Sequence, residues 1–219
     1  MSETFHYEIM LPSNGVKENK KYPVLFALHG IGYNEREMLS VFEGLKDDFI
    51  LIGVRGNLKY EEGYAYYYLK EYGKPERKLF DQSMEMLQGF IQTSLDKYPI
   101  DPKHVYLAGF SQGAILANSL ALVLCNKIRA IVSMNGYVPA FVVEEYPVES
   151  IDQLSVLLTD GEKDNIFPPE IGKKNYQFFK KNGASVKYKT YPTEHLIGNE
   201  NKSDVTEWLL ERVPSINKQ

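Results

Sequence analysis

The chain has 219 residues, 43% of them hydrophobic, and a formal net charge of −4. This length and composition are typical of a soluble globular protein, so we expect one domain over residues 1–219 without stable membrane insertion. Because the net charge is negative and no basic cluster is present, the sequence argues against nucleic acid as a partner. The sequence leaves open whether the protein is a monomer or a homodimer.

The compartment is predicted from the cysteine content and from the start of the chain. The single cysteine, Cys125, excludes an internal disulfide and fits a reducing environment. The first ten residues contain neither a basic start nor an apolar run, so we expect no secretory signal peptide. The expected location is the cytoplasm.

The first half of the chain alternates apolar runs with helical patterns. Residues 22–29 form a continuous apolar run, as expected of a strand that is buried on both faces. Asn34 is placed to cap the helix that follows. Residues 58–78 have no clean period and are rich in tyrosine. The predicted strands are 5–11, at an edge, 22–29 and 49–54, and the predicted helices are 35–45 and 79–97.

The second half continues the same alternation of strands and helices. Residues 135–150 are irregular, and either this stretch or residues 58–78 could form a lid or only a long connection. Buried strands that alternate with helices indicate the α/β class, with a mostly parallel central sheet and helices on both faces. The predicted strands begin at Val105 and cover 129–134, 155–159 and 185–191, and the predicted helices cover 114–124, 168–181 and 202–212.

One strand leads into a helix through the pattern G-x-S-x-G, here Gly109-Phe110-Ser111-Gln112-Gly113. A turn this tight holds the central serine in a strained backbone conformation, with its hydroxyl above the edge of the sheet. The start of the helix also directs backbone N–H groups toward an oxygen near that serine. An ordinary turn with a capping serine is the alternative. The strand before the pattern and the helix after it favour Ser111 as a nucleophile.

A serine nucleophile needs a base, and the chain contains four histidines. His6 lies in the edge strand, and His104 precedes its strand and therefore lies at the rim opposite Ser111. His29 ends a buried strand beside a glycine, where a buried ring that holds the turn is the favoured interpretation. His195 follows the last predicted strand, in a loop that reaches over the sheet. We therefore predict that His195 is the base.

Two aspartates compete for the role of the acid that orients this histidine. Asp160 is almost within a strand, where its carboxylate is stiff and is expected to bond nearby backbone N–H groups. Asp164 lies further out, in a loop turned by Gly161, and can approach a histidine. We favour Asp164, which gives the order Ser, Asp, His along the chain.

Negative charge that develops on a substrate oxygen requires preorganised N–H donors. The N–H of Gln112, directly after the candidate nucleophile, is one predicted donor. The run His29-Gly30-Ile31-Gly32 follows a buried strand, and its glycines allow the backbone to approach closely. We predict that the N–H of Ile31 is the second donor.

Four motifs together resemble the phospholipase/carboxylesterase branch of the α/β-hydrolases, which includes the acyl-protein thioesterases. The resemblance covers essentially the whole chain in order and size. It implies the α/β-hydrolase fold, a triad of Ser111, Asp164 and His195, and oxyanion donors at Ile31 and Gln112. The motifs are Leu28-His29-Gly30-Ile31-Gly32, Gly109-Phe110-Ser111-Gln112-Gly113, Gly161-Glu162-Lys163-Asp164 and Glu194-His195.

The tyrosine-rich stretch is a candidate wall for an acyl pocket, because tyrosine offers an apolar body with a polar tip. Tyr64, Tyr66 and Tyr67 are the candidate substrate-binding residues, and ordinary packing of a half-buried loop is the alternative. The sequence contains no H-E-x-x-H pattern, cysteine cluster or glycine-rich phosphate loop. We therefore expect no metal and no cofactor.

These features predict a serine carboxylesterase that hydrolyses a small-molecule ester or thioester through an acyl-enzyme. An acyl-protein thioesterase or a lysophospholipase-like hydrolase is the close alternative, since the chemistry is shared and only the pocket and partner differ. An acyltransferase, or a non-catalytic binding protein on the same fold, is the alternative from a different class. Assaying products with and without alcohol acceptors distinguishes an acyltransferase from a hydrolase.

Overall fold

Strands and helices alternate along the chain, and a computed structural model describes residues 5–71 and 73–213. The strands are β1 (Tyr7–Met10), β2 (Tyr22–Leu28), β3 (Ile50–Val54), β4 (Leu58–Tyr60), β5 (Gly63–Ala65), β6 (Leu69–Glu71), β7 (Lys74–Pro75), β8 (Ile100–Phe110), β9 (Ala130–Met134), β10 (Ser155–Gly161) and β11 (Ser185–Tyr191). The helices are α1 (Glu35–Val41), α2 (Arg77–Lys97), α3 (Gln112–Val123), α4 (Ala140–Glu145), α5 (Pro169–Lys181) and α6 (Asn199–Leu210).

Seven strands form the central sheet, in the order β1-β3-β2-β8-β9-β10-β11. Strand β1 pairs with β3 in the antiparallel sense, and every other pair in this sheet is parallel. The predicted edge strand and mostly parallel sheet are therefore confirmed. Because the parallel strands point the same way, the loops after β2, β8, β9, β10 and β11 meet at one rim of the sheet.

Hydrophobic cores lie on both faces of this sheet, and strand β2 contributes to each of them. Val24 and Phe26 face one core, which they share with residues of α2 and α3. Leu25 and Ala27 face the other core, which they share with residues of α1 and α6. Alternate side chains of a strand point to opposite faces, so β2 is buried on both sides. The predicted arrangement of helices on both faces is confirmed.

The start of α1 is fixed by a capping box at Asn34. The Asn34 side chain accepts hydrogen bonds from the N–H groups of Arg36 and Glu37, and the Glu37 side chain accepts one from the Asn34 N–H. The helix ends at Val41, and a short 3₁₀ turn over Glu43–Leu45 follows. The capping residue is as predicted, whereas the α-helix is shorter than the predicted 35–45.

The stretch 58–78 folds into two small antiparallel hairpins rather than a regular layer. Strand β4 pairs with β5, and β6 pairs with β7. Tyr72 of this stretch lies outside the described residues. In the irregular stretch 135–150, residues Ala140–Glu145 form the short helix α4. Across the residues that the structure describes, no helix is both long enough and apolar enough to cross a bilayer.

Candidate active site

Ser111 lies in the turn between β8 and α3, with φ 51° and ψ −114°. A positive φ is a strained conformation for a residue other than glycine. The glycines around it permit the tight turn: a Cβ on Gly109 would lie 2.2 Å from the Gly113 carbonyl oxygen, and a Cβ on Gly113 would lie 2.1 Å from the Leu28 carbonyl oxygen. The Ser111 N–H donates to the Met134 carbonyl oxygen at 2.9 Å. The serine thus occupies the strained elbow that its motif predicts.

His195 and Asp164 are joined by a hydrogen bond of 2.7 Å between His195 Nδ1 and Asp164 Oδ2. The Asp164 side chain is fully buried. Its other oxygen, Oδ1, accepts hydrogen bonds from the N–H groups of Ile166 and Phe167, both at 2.8 Å. Burial raises the pKa of the Asp164 carboxyl, but hydrogen bonds from Asn135 and His195 outweigh it and hold this pKa below its ordinary value. The carboxylate is therefore present to accept from the histidine.

Two aromatic rings pack against the imidazole of His195. The centroid of Phe110 lies 5.0 Å away and that of Phe167 lies 5.4 Å away. Since Nδ1 bonds Asp164, Nε2 is the ring nitrogen that makes no hydrogen bond within the described part of the chain. The ring is therefore held in one orientation with Nε2 available for proton transfer.

Ser111 and His195 line the same cavity, of about 460 Å³. Ile31 and Gln112 line it as well, and neither of their backbone N–H groups donates a hydrogen bond to any described residue. The structure thus brings the predicted nucleophile, base and N–H donors to one cavity, with the predicted acid bonded to the base. The rest of the wall is mainly apolar and aromatic: Tyr33, Tyr60, Tyr67, Leu69, Phe110, Ile115, Tyr137, Ile166 and Phe167, with Gly30 and Gly73.

The three candidate substrate-binding tyrosines have different surroundings. Tyr67 lines the cavity and is fully buried. Tyr66 is buried elsewhere: its hydroxyl donates to the Val54 carbonyl oxygen at 2.5 Å, and its ring lies 4.8 Å from that of His29. Tyr64 packs under the guanidinium of Arg55, 4.5 Å from the ring centroid. Tyr64 and Tyr66 therefore do not border the cavity, because their rings are used in packing.

The other three histidines have structural surroundings. His29 is buried, donating from Nδ1 to the Gly30 carbonyl oxygen at 2.7 Å and accepting at Nε2 from the Gly56 N–H at 2.9 Å. Burial lowers the pKa of His29 to about 4, so its ring is neutral and braces the turn. His104 bonds Asp101 near the start of β8, and His6 is largely exposed.

Asp160 lies inside β10. Its carboxylate makes no hydrogen bond to a backbone N–H of the described residues, so the prediction that it bonds nearby N–H groups is wrong. At Asp160, β10 is paired with β11 through Thr190, whereas its pairing with β9 ends one residue earlier, at Thr159. Asp160 Oδ2 is buried and has no hydrogen-bond partner among the described residues. A Cβ on Gly172 would lie 1.7 Å from this oxygen, so the carboxyl packs directly on α5. Burial raises the pKa of Asp160 to about 7; the nearby Tyr188 hydroxyl opposes this rise, and the charge of Asp164 adds to it.

One group of side chains in the described ranges has the spacing of a metal site. Ligand atoms of His6, Glu8 and Glu35 lie within 4.8 Å of one another. Both carboxylates already bind arginines, however: Glu35 makes two 2.6 Å hydrogen bonds with Arg55, and Glu8 accepts from Arg36 at 2.6 Å. Because the arginines neutralise these carboxylates, the group is poorly suited to a cation.

The structure adds residues to the site that sequence reasoning missed. Asn135 donates from Nδ2 to Asp164 Oδ2 at 2.8 Å, and Phe110 and Phe167 pack on the base. Tyr137 belongs to the cavity wall. The dipeptide Asn135-Gly136 at the end of a buried strand was the available signal, since Asn-Gly marks a turn at the rim where sites form.

Comparison with known proteins identifies the same family as the sequence motifs. The phospholipase/carboxylesterase family matches residues 15–211. The protein named MhqD of Bacillus subtilis is 26% identical over 192 residues, which are 87% of this chain and 94% of that protein. Acyl-protein thioesterase 1 of Debaryomyces hansenii is 27% identical over 148 residues, 64% of this chain and 63% of that protein.

Solved structures of carboxylesterases share the fold. The Bacillus cereus carboxylesterase superposes with a TM-score of 0.83 at 18% identity, covering 96% of this chain and 95% of that one. The carboxylesterase from Mesorhizobium loti gives a TM-score of 0.82 at 20% identity, covering 96% and 97%. The α/β-hydrolase fold expected from the motifs is therefore confirmed. The chain belongs to the phospholipase/carboxylesterase family, a family of hydrolases that includes carboxylesterases and thioesterases.

Proposed function

We propose that the protein is a serine hydrolase that cleaves carboxylic esters through an acyl-enzyme intermediate. One observation carries the proposal: strained Ser111 shares a cavity with His195, whose Nδ1 is held at 2.7 Å by buried Asp164. A nucleophile, a base and an acid that orients the base are the parts that acyl transfer needs.

Each residue has a defined role in the proposed reaction. Ser111 Oγ attacks the acyl carbon, and His195 Nε2 takes the serine proton. The N–H groups of Ile31 and Gln112 stabilise the negative charge on the former carbonyl oxygen. His195 then protonates the leaving alcohol, which departs and leaves the acyl group on Ser111. A water molecule, deprotonated by His195, attacks the acyl carbon of the acyl-enzyme; the bond to Ser111 Oγ breaks, His195 returns the proton to that oxygen, and the acid is released.

The cavity suggests the kind of substrate. Its volume of about 460 Å³ and its mainly apolar, aromatic wall suit the acyl part of a small-molecule ester or thioester. No step of the proposed reaction requires a cofactor. A thioester is the second candidate, favoured by the match to acyl-protein thioesterase 1. The same triad cleaves either bond, so only the substrate assay distinguishes these candidates.

The nucleophile is tested by Ser111→Ala, with Ser94→Ala as the matched control because Ser94 is a buried serine of α2. Hydrolysis of nitrophenyl esters is expected to fall by about 10⁴-fold or more in Ser111→Ala and to stay near the parent value in the control. A fluorophosphonate probe is expected to label the parent and Ser94→Ala only. Labelling that persists in Ser111→Ala would contradict the proposal. Nitrophenyl esters of increasing acyl length and matched thioesters then define the substrate class.

A further inference from the structure

Asn135 follows β9 directly and makes hydrogen bonds to two different parts of the neighbouring structure. Its backbone N–H donates to the Thr159 carbonyl oxygen at 2.8 Å. Its Nδ2 donates at 2.8 Å to Asp164 Oδ2, the same oxygen that accepts from His195 Nδ1. Asn135 is fully buried. It therefore contacts the acid of the proposed triad directly, away from solvent.

The residue before Asn135 holds the other end of the site. The Met134 carbonyl oxygen accepts the hydrogen bond from the Ser111 N–H at 2.9 Å. Two consecutive residues thus bond the proposed nucleophile on one side and the proposed acid on the other. Strand β9 lies between β8, which leads to Ser111, and β10, which precedes Asp164. The segment 134–135 therefore helps to set the separation of Ser111 and Asp164.

The backbone conformation of Asn135 indicates that the turn alone does not require an asparagine at this position. Its φ is 51°, in the left-handed region where glycine is unstrained and asparagine is tolerated better than most residues. A glycine would make this turn without strain, so the turn alone does not explain an asparagine. The amide also leaves its Oδ1 buried without a partner in the described structure, which is unfavourable. The hydrogen bond to Asp164 is the interaction that offsets both costs.

We propose that Asn135 is a positioning residue that orients the Asp164 carboxylate toward His195, an inference that rests on the proposed function. The N–H groups of Ile166 and Phe167 hold Oδ1, and Asn135 holds Oδ2, so the carboxylate cannot rotate away from the imidazole. The same bond from Asn135 helps to keep the pKa of Asp164 low, and the other titratable groups that act on this carboxylate are His195 and Asp160.

Asn135→Gly tests this role because it removes the side chain and also relieves the backbone. The melting temperature is expected to stay within a few degrees of the parent value, while kcat falls about 10- to 100-fold and KM changes less than about threefold. The matched control is Asn201→Ala. Asn201 is also a buried asparagine with an unpartnered Oδ1, but its Nδ2 donates to Thr159 Oγ1. The control is expected to lower the melting temperature and to leave kcat within about twofold.

Asn135→Asp supplies a readout that a purely structural role would not move. It keeps the shape and tolerates the left-handed backbone, but it puts a second carboxyl beside Asp164 Oδ2. Two carboxyl groups at that distance share one proton, so the pH profile of kcat/KM is expected to gain an ionisation that the parent lacks. If Asn135→Gly fails to fold, Asn135→Asp by itself still tests the proposal.

The outcomes separate this inference from the proposed function. Unchanged kcat in Asn135→Gly, or a pH profile of Asn135→Asp with no ionisation beyond those of the parent, would overturn the role of Asn135 while Ser111→Ala remains inactive. Full activity in Ser111→Ala or in Asp164→Asn would overturn the proposed triad instead. Loss of kcat in Asn135→Gly together with the added ionisation in Asn135→Asp supports both.

Discussion

The side-chain oxygen of Gln112 accepts a hydrogen bond from the backbone N–H of Tyr66 at 2.7 Å. The same side chain donates from Nε2 to the Tyr67 carbonyl oxygen at 2.8 Å. The residue directly after Ser111 thus fixes the segment that places Tyr67 in the cavity wall. We proposed the backbone N–H of Gln112 as a donor to the oxyanion, and under that proposal the same residue also supports the wall of the cavity.

Gln112→Ala is expected to loosen this segment while leaving the backbone N–H at position 112. The buried Tyr66 N–H and Tyr67 carbonyl oxygen lose their partners, which destabilises the fold by about 1–3 kcal/mol. Movement of Tyr67 is expected to raise KM more than it lowers kcat. Urea denaturation and steady-state kinetics measure both effects.

Gln112→Glu is the matched variant for that experiment. A carboxylate keeps the acceptor for the Tyr66 N–H but faces the Tyr67 carbonyl oxygen with a second oxygen. A buried carboxylate without a cationic partner is costly, so the stability of Gln112→Glu at pH 7 is expected to be no higher than that of Gln112→Ala. A Gln112→Ala protein with the stability and KM of the parent would show that this amide does not hold the segment.

The strain at Ser111 predicts a difference between two inactive variants. Ser111→Gly relieves the positive φ, which costs about 1–3 kcal/mol for other residues, whereas Ser111→Ala keeps it. Glycine is more flexible in the unfolded state, so the net gain of Ser111→Gly over Ser111→Ala is expected to be about 1 kcal/mol. Thermal melting of both proteins measures this difference.

Ser94 in α2 provides a control, because there the alanine variant is expected to be more stable than the glycine variant. At Ser94, inside α2, glycine is expected to be about 1 kcal/mol less stable than alanine, because glycine is a poor helix former. The same order at both positions, with alanine the more stable, would show that the backbone of Ser111 is not strained.

The assignment of the acid is tested by two isosteric changes. Asp164→Asn replaces the oxygen that accepts from His195 Nδ1 and is expected to lower kcat by about 10²-fold or more, since the imidazole then lacks its anchor. Asp160→Asn is expected to leave kcat/KM within several-fold. The two effects in the reverse order would make Asp160 the acid.

Much of the arrangement of the candidate site was predictable because of the parallel sheet. Strands buried on both faces leave continuous apolar runs, and their carboxyl ends share one rim, so a residue's place after a strand indicates its place at the site. Ser111 follows the buried second half of β8. His195 follows β11, an edge strand that is only partly buried but points the same way. Both residues line one cavity, and Asp164 bonds His195. Asn34 was predictable for a similar reason, since capping depends on neighbours in the chain.

The unpredicted features depend on contacts between residues distant in sequence. Tyr66 and Tyr67 are adjacent and chemically identical, yet only Tyr67 borders the cavity. The difference comes from the Val54 carbonyl oxygen, which binds the Tyr66 hydroxyl. The hairpins of residues 58–78 have strands of two or three residues, too short for a visible period. The contact of Asn135 with the candidate site could not be predicted from sequence either, because its partner Asp164 lies 29 residues further along the chain.

The folded protein disfavours the charged form of the buried Asp160 carboxyl. Its pKa is raised to about 7, chiefly by burial, from an ordinary value of 3.8. Between these two values the unfolded chain has lost the proton and the folded protein has kept it, so stability falls as the pH rises from about 4 to about 7. Above pH 7 the loss is complete, and for a shift of this size it is of the order of 2–4 kcal/mol.

Asp160→Asn removes this ionisation and is therefore expected to stabilise the protein by an amount that depends on pH. Urea denaturation at pH 4, 5.5, 7 and 8.5 should show a gain over the parent that is absent at the lowest pH, grows through the middle values and is constant above 7. Asp96→Asn, an exposed acid of α2, removes the same charge from the surface and is expected to change stability by less than about 0.5 kcal/mol throughout. A gain from Asp160→Asn that is equal at every pH would mean that packing, and not the buried charge, sets its effect.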